Sequence, residues 1–311
     1  LENVRGNEKL TNLGLINGKA IGSFSDDSNQ KLYWFVTSDT RDLVVEFEKP
    51  TSTTTVLLDS SKEDGTLNFN KDFLITGVTK VINGDFERDL LVWTDDLNPP
   101  RVINIERAKT YLPDGFIEDD ISLIKKPPRY APTVELTFTD TLEENNLENK
   151  FLSFSYRYKY LDGDYSALSS FTNYAFSPSS FDLDFETMEN EGMKNSFNAV
   201  NISFNTGDER VTDVEIVFKE TNSNAVYVVE SFNKANKGWY NNQTESFLFS
   251  NNKTLTVLPI DELFRDYDSV PRKAKALELI GTRLAFGNYV EQYDLTDVSG
   301  EEVVLNYNLN L

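Results

Sequence analysis

The apolar positions of the first 130 residues fall in short runs, each closed by a polar turn. Leu32–Val36 is an aromatic-rich run ending in Thr37-Ser38-Asp39, and Leu43–Phe47 returns after it. Leu90–Trp93 ends in Thr94-Asp95-Asp96, and Val102, Ile103 and Ile105 return after Pro99-Pro100. Short apolar runs bounded by turn residues predict buried strands, and proline cannot continue one. Thr37 and Thr94 are equivalent, an offset of 94 − 37 = 57 residues. A weaker third copy spans Leu277 to Leu295. Repeated hairpins of this kind predict blades of a β-propeller.

The same reading places strands at 20–24, 32–37, 43–48, 54–59 and 73–82, with a loop at 60–65 and a tight turn at Asn83-Gly84. Residues 110–132 carry Pro113, Pro127, Pro128 and Pro132 and predict an extended linker. From Thr133 the pattern becomes clean alternation. Val134, Leu136 and Phe138 alternate with polar residues, as do Phe154, Tyr156, Tyr158 and Tyr160, then Val200, Ile202 and Phe204, then Val214, Ile216 and Phe218. A period of two describes strands with one face in a core and one face wet. Val226–Phe232 and Ser246–Phe249 add further strands, and Asn222-Ser223-Asn224 is a hairpin turn. Seven or so short strands predict an immunoglobulin-like or fibronectin-III-like sandwich. Phe185–Asn195 is acidic and reads as a loop or short helix, and Pro259–Tyr267 as a short helix with Ile260, Leu263 and Phe264 on one face.

The expected fold is therefore all-β: propeller blades over 1–130, an inserted sandwich over 131–270, and a return to blade strands over 271–311. Three blade fragments cannot close a ring, which needs at least about four blades. The propeller is expected to continue in a further segment or another chain, or else to be partial or strongly decorated. The chain starts at Leu1, as expected of a processed chain or a piece of a longer one. No apolar run approaches the roughly 18 residues of a membrane span, and no signal peptide opens the sequence.

Composition narrows the chemistry. The 311 residues include no Cys and no His. That removes disulfides, thiol nucleophiles, thiolate metal sites, Ser-His-Asp triads and the usual transition-metal sites. Carboxylates, Lys and Tyr remain. With 30 basic and 51 acidic residues the formal charge is −21. A nucleic-acid grip spread over the surface is not expected, because phosphate contact needs Lys and Arg. Simple solubility explains the charge, and a passage to which DNA must not stick would also require it.

Several residues invite a functional reading and each has a plainer one. Asp162-Gly163-Asp164 resembles a fragment of a calcium loop but lacks the other ligands, and a type I′ hairpin turn is preferred. Asp95 and Asp96 beside Trp93 suggest a glycosidase carboxylate pair with a stacking ring, yet adjacent strand residues point to opposite faces. Asp182, Asp184 and Glu186 alternate, as on a solvated edge. Asn201, Asn242 and Asn252 head glycosylation sequons, a chance match without a secretory signal. The stripe Tyr156, Tyr158, Tyr160 reads as core before ligand stacking. Lys125, Lys126 and Arg129 form the main basic cluster, either solvated or facing an acidic neighbour. No Gly-rich phosphate loop occurs. No catalytic, cofactor or metal residue is assigned, and the chain is not expected to be an enzyme.

The stretch LLVWTDDLNPPRVINIERA, Leu90 to Ala108, resembles a motif of large tail proteins of crAss-like bacteriophages, often labelled stabilisation proteins. Leu90, Leu91, Trp93, Thr94, Asp95, Asn98, Pro100, Arg101, Ile103, Asn104, Ile105, Arg107 and Ala108 match it. LYWFVTSDTRDLVVEF from Leu32 and SYRYKYLDGDYSALSSFTNYAF from Ser155 are similar to further stretches of those proteins. The resemblance implies a component of the virion tail: a nozzle or muzzle ring of identical subunits around the DNA exit channel, held by other tail proteins, with no catalytic residues. Such proteins are propeller-based and considerably longer than this chain. Two other readings compete: an adhesin-type module binding a host surface glycan or protein, and a carbohydrate-active enzyme using two carboxylates.

Overall fold

The computed structural model describes residues 11–82, 89–142, 144–253, 255–263, 270–281 and 283–291. Among these residues the fold is all-β, with several antiparallel sheets, none of them closed. The chain divides into one unit of Leu1–Leu123 with Val270–Leu311 and a second of Ile124–Ser269.

The first unit begins with a four-stranded meander: β1 (Lys19–Asp26), β2 (Lys31–Thr37), β3 (Arg41–Glu48) and β4 (Thr53–Ser61), paired in that order. Alternation decides which side chains go where. Tyr33, Phe35, Val44 and Leu58 point into one core, while Val36, Leu43 and Val45 pack on the other face beneath Leu13 and Leu15. β3 is therefore buried nearly throughout, Asp42 and Glu46 included, because both of its faces are covered. A second sheet, β5 (Gly77–Val81), β6 (Leu90–Thr94) and β7 (Arg101–Asn104), shares the first core. Phe35 of the first sheet meets Trp93 of the second at 5.3 Å between ring centroids, and both rings are fully buried. Each such ring contributes roughly 1.5–3 kcal/mol or more by leaving water.

Three expectations need correction. Phe73–Ile82 is not one strand. Phe73 and Leu74 are exposed, Phe73 closing a turn on Asn70, and only Gly77–Val81 joins a sheet. The chain changes sheets within it: the Ile75 amide donates to Ile21 O (3.0 Å) of β1, whereas the Thr76 amide donates to Thr94 O (2.9 Å) of β6. The return strand stops at Asn104 rather than Ile105, because the Asn104 Oδ1 accepts from the Arg107 amide (2.9 Å) and opens a helical turn, α1 (Ile105–Ala108). The 110–132 segment is likewise not purely extended, holding a second turn, α2 (Glu118–Ile121), with Ile121 fully buried. Asn83-Gly84 lies outside the described residues.

The hairpin of β15 (Lys273–Ile280) and β16 (Arg283–Val290) belongs to this unit and turns at Gly281, φ +62°. It lies against β5 and β6. Thr94 Oγ1 donates to Ala274 O at 2.9 Å, and a Cβ on Gly77 would sit 2.7 Å from the Leu277 amide nitrogen. Residues 292–295 of the third repeat copy lie outside the described residues.

The second unit holds two sheets around one core. β8 (Thr133–Thr137), β10 (Ala199–Asn205) and β13 (Thr244–Phe249) form one, in the order β13-β10-β8. β9 (Leu152–Tyr160), β11 (Val211–Glu220), β12 (Val226–Asn233) and β14 (Thr256–Val257) form the other, in the order β14-β12-β11-β9. Val200, Ile202 and Phe204 face Phe154, Tyr156, Val214, Ile216 and Phe218 in a shared core, as the alternation predicts. The short turns α3 (Lys234–Lys237) and α4 (Ile260–Leu263) complete the elements, and Phe264–Tyr267 of the expected helix lie outside the described residues. The wet face expected of β9 is not wet: Ser153, Ser155 and Arg157 are buried. Residues 165–175 run beside the strand, and the amides of Ser166, Ser169, Thr172 and Ala175 donate to the carbonyls of Tyr158, Tyr156, Phe154 and Leu152. Ser153 and Ser155 donate sideways to Thr172 O and Ser169 O, so the buried hydroxyls are satisfied.

Candidate functional site

The turn after β6 is built from the residues that stand out most in the sequence. Asp95 is 3% exposed and accepts from the amides of Leu97 (3.0 Å) and Asn98 (2.7 Å) and from Asn98 Nδ2 (2.7 Å). This is a side chain closing its own turn. Asn98 in turn donates to Asn68 O and accepts from Asn68 Nδ2, tying the turn to the 67–70 segment. Asp96 takes the left-handed conformation, φ +58°, and faces Lys275 at 3.7 Å. Asp95 is thus engaged with backbone amides while Asp96 turns to a different neighbour. Arg101 is buried and reaches Glu118 (2.8 Å), and Asn104 caps α1. The polar members of the repeated motif are spent on holding the chain's own turns.

A charged crevice of about 210 Å³ opens beside this core, lined by Lys31, Tyr33, Lys80, Asp89 and Glu106 among others. Lys80 sits between Asp26 (2.7 Å) and Asp89 (2.8 Å), all three side chains under a tenth exposed. Burial disfavours the Asp26 carboxylate, but hydrogen bonds from Lys80, Ser28 and Asn29 outweigh it and hold its pKa well below the usual range. Burial likewise opposes the Lys80 charge, and bonds to the two aspartates overcome it and raise its pKa. Tyr33, buried and donating to Glu46 (3.0 Å), is pushed far up by burial first and by the Glu46 charge second. Glu46 also meets Lys31 (3.1 Å) and Lys109 (3.3 Å). The first cluster ties β1 to β5, and the second ties β2 and β3 to the end of α1.

The second unit has a more open feature. A cleft of about 290 Å³ lies at the C-terminal end of β9, floored by Tyr156, Tyr158 and Tyr160 and rimmed by Lys126, Arg129 and Tyr130 from the proline-rich segment. The tyrosine stripe and the basic cluster, 30 residues apart in the chain, meet here. Tyr160 Oη donates to Lys126 O (2.7 Å), and the Lys125 ammonium lies 5.7 Å from the Tyr160 ring centre. Tyr156 and Tyr158 are core residues, as expected, with their hydroxyls at Asn205. Burial raises both phenol pKa values. Gly207, φ +70°, bends the wall tightly: its amide donates to Asn205 Oδ1 (2.8 Å) and its carbonyl accepts from the Asn242 amide (2.7 Å). Asp208, under Arg210, is disfavoured by burial yet held below the ordinary carboxylate range by that guanidinium. Lys126, Arg129 and Tyr130 are exposed at the rim, where the Arg129 guanidinium lies 5.3 Å from the Tyr130 ring centre.

The remaining candidates have structural accounts. Asp162-Gly163 forms a hairpin turn, but not the type I′ form, which needs positive φ at both central residues. Only Gly163 is left-handed, φ +89°, and its amide donates to Tyr160 O (2.9 Å) while the Tyr160 amide donates to Asp164 O (2.8 Å). Asp182, Asp184 and Glu186 do not share a strand face. They lie in a hairpin-like loop, where Asp184 accepts from the Glu186 amide (2.9 Å) and Thr187 Oγ1 (2.8 Å). Asn242 and Asn252 are exposed and Asn201 is half-buried within β10. Sequence reasoning missed the buried charge clusters, that around Lys80 and a further one on β9. Arg157 Nε donates to Glu215 (2.7 Å), its guanidinium stacks 4.1 Å from the Tyr165 ring centre, and burial raises the Glu215 pKa despite the arginine. Its only signal was a charged residue amid serines on a strand. Among the described residues no group of three or more acidic side chains gathers as a metal site, and no helix is long and apolar enough to cross a membrane.

No protein-family model matches the chain, and no curated protein matches it. Among solved structures, the crystal structure of a protein from Lactobacillus plantarum is similar at 14% identity, over 90% of this chain and 82% of that one, with a TM-score of 0.20. That score is too low to support an argument about fold or function.

Proposed function

We propose that this chain is a non-catalytic structural component of a bacteriophage tail, one copy in a nozzle or muzzle ring around the DNA exit channel. Its first unit is read as consecutive blades of a partial β-propeller and its second as an immunoglobulin-like sandwich. The observation that carries the reading is how the motif at 90–108 is used. Trp93, Ile103 and Ala108 are fully buried, Asp95 and Asn98 close a turn, and Asn104 caps a helical turn. Residues kept for such work favour a protein whose product is its own shape. The four-stranded meander followed by a three-stranded sheet on one core fits successive blades. The charge of −21 suits a passage that must not hold DNA.

Cryo-electron microscopy of virions carrying a tagged copy tests this: density is expected at the tail, in a ring. A chain absent from purified particles would refute it. The alternative, an adhesin-type module, is favoured by the aromatic floor of the Tyr156–Tyr160 cleft. Glycan-array binding by the isolated chain, lost in Arg129→Glu, would favour that reading instead.

A further inference from the structure

The two sheets of the second unit differ in how their edges end. In the sheet β14-β12-β11-β9, residues 165–175 bond along β9, and β14 is only two residues long. The sheet β13-β10-β8 has no such cover. Among the described residues, no backbone group of β8 or β13 bonds beyond β10 and its flanking residues. Every second residue of an edge strand turns its N–H and C=O outward, a template for another strand. Neither strand blunts that template with a proline or a bulge. The apolar cover is unfinished along the same two edges. Val200 and Ile202 of β10 are fully buried, whereas Val134 and Leu136 of β8 and Phe247 of β13 are only half-buried. Leu248, on the outer face of β13, is 50% exposed.

β8 and β13 both run antiparallel to β10 and are therefore parallel to one another. One edge of a copy can thus meet the other edge of the next copy without reversing direction. Such a contact is heterologous, the kind that generates rings or filaments. The register is read from β10. Thr133 and Ser246 both oppose Ser203, an offset of 246 − 133 = 113. Pairing between copies with no shift along the strands puts Val134 against Phe247 and Leu136 against Phe249. The inner apolar face then runs on from copy to copy through cross-strand pairs. The same offset puts Asp140 against Lys253 (140 + 113 = 253), both of them exposed. Lys253 meets Glu230 at 3.0 Å within its own copy, an exposed pair that contributes little and exchanges readily. Self-pairing of β8 is disfavoured, because Glu135 is the middle of its five residues and would face its own counterpart.

We propose that β8 of one copy adds to the open edge of β13 of the next, parallel and in that register, so that the partner is a second copy of this chain. This rests on the ring reading above and names a contact that would build it.

The test uses the full chain, whose lack of cysteine makes it a clean background. Thr133→Cys and Ser246→Cys each place one thiol at an exposed position. Within one copy these positions flank Ser203 and stand roughly 9–10 Å apart, too far for a disulfide. An equal mixture of the two single variants, oxidised with copper phenanthroline, should give a covalent dimer, and either variant alone should not. A second measurement needs no thiol. In sedimentation velocity, Asp140→Lys and Lys253→Asp should each weaken self-association about fivefold, and the chain carrying both should recover it. Reversed chains that associate as well as wild type overturn the register. Either cysteine variant crosslinking alone as well as the mixture does shows self-pairing of one edge and overturns the proposal. So does a thiol at 246 that traps a different tail protein. If the mixture gives no dimer while wild type forms the ring, the β8–β13 contact is wrong and the ring stands. If wild type stays monomeric and is missing from virions, both fall.

Discussion

Replacing Lys80 with Met probes how β1 and β5, strands of two different sheets of the first unit, are held together. The side chain is nearly isosteric over its apolar stem, so the change removes charge and bonds more than volume. Lys80 is 8% exposed, between Asp26 and Asp89 at 5% and 6%. Asp26 keeps partners in Ser28 and Asn29, but Asp89 Oδ1 already has none and its Oδ2 would lose Lys80. Removing one member of a buried pair typically costs about 3–5 kcal/mol, because the other charge stays buried and unpaired. We expect Lys80→Met at pH 7 to lie in that range. Adding Asp89→Asn should recover about 1–2 kcal/mol, since a neutral amide needs less compensation. The pH dependence carries a sign. In wild type the Asp26 pKa is depressed, so its contribution is present above the unfolded value of about 3.9 and is lost as pH falls through the folded value. Lys80→Met removes one of the bonds behind that depression while Ser28 and Asn29 remain, so the wild type loses more than the variant as Asp26 protonates, and the penalty should shrink as pH falls below about 4. Urea unfolding followed by fluorescence in a Trp239→Phe background reads the first unit alone, through Trp34 and Trp93. A cost below about 1 kcal/mol at pH 7, or one that does not change with pH, would refute the reasoning.

Three further outcomes are expected. Gly77→Ala should destabilise the first unit by about 1–3 kcal/mol, because its Cβ would meet backbone atoms of Leu277 at 2.7 and 3.1 Å; hydrogen exchange at β15 should speed up more than at β3. Asp95→Ala should cost about 1–3 kcal/mol by leaving the Leu97 and Asn98 amides without their acceptor, measured by the same fluorescence. Phe154→Ala, fully buried against Phe218 and Phe249, should cost about 3–5 kcal/mol; Trp239 should report it, with Trp34 and Trp93 unchanged in variants where Trp239 is Phe.

What the sequence made legible follows from local physics. The strands at 32–37, 43–48 and 200–204 were visible because alternation and polar turns are local signals. Ser155 and Arg157 misled because alternation distinguishes one face from the other but cannot say whether 165–175 will cover the polar one. Phe73–Ile82 misled because its apolar content serves two sheets in succession, which no single-strand template describes. The cleft was invisible for a related reason: Lys126 and Tyr160 come together only through tertiary structure. Asn104, by contrast, stood at a cap-favouring position before Glu106 and could have been read as the start of a helical turn.

The junction at Ile75 and Thr76 has a geometric corollary. Neighbouring amides are clamped to different sheets, and a Cβ on Gly22 would sit 2.5 Å from the Ile75 side chain. A single peptide unit therefore acts as a mitre joint that sets the dihedral between those sheets. One residue inserted there would tilt every later layer of the unit while leaving each layer internally intact.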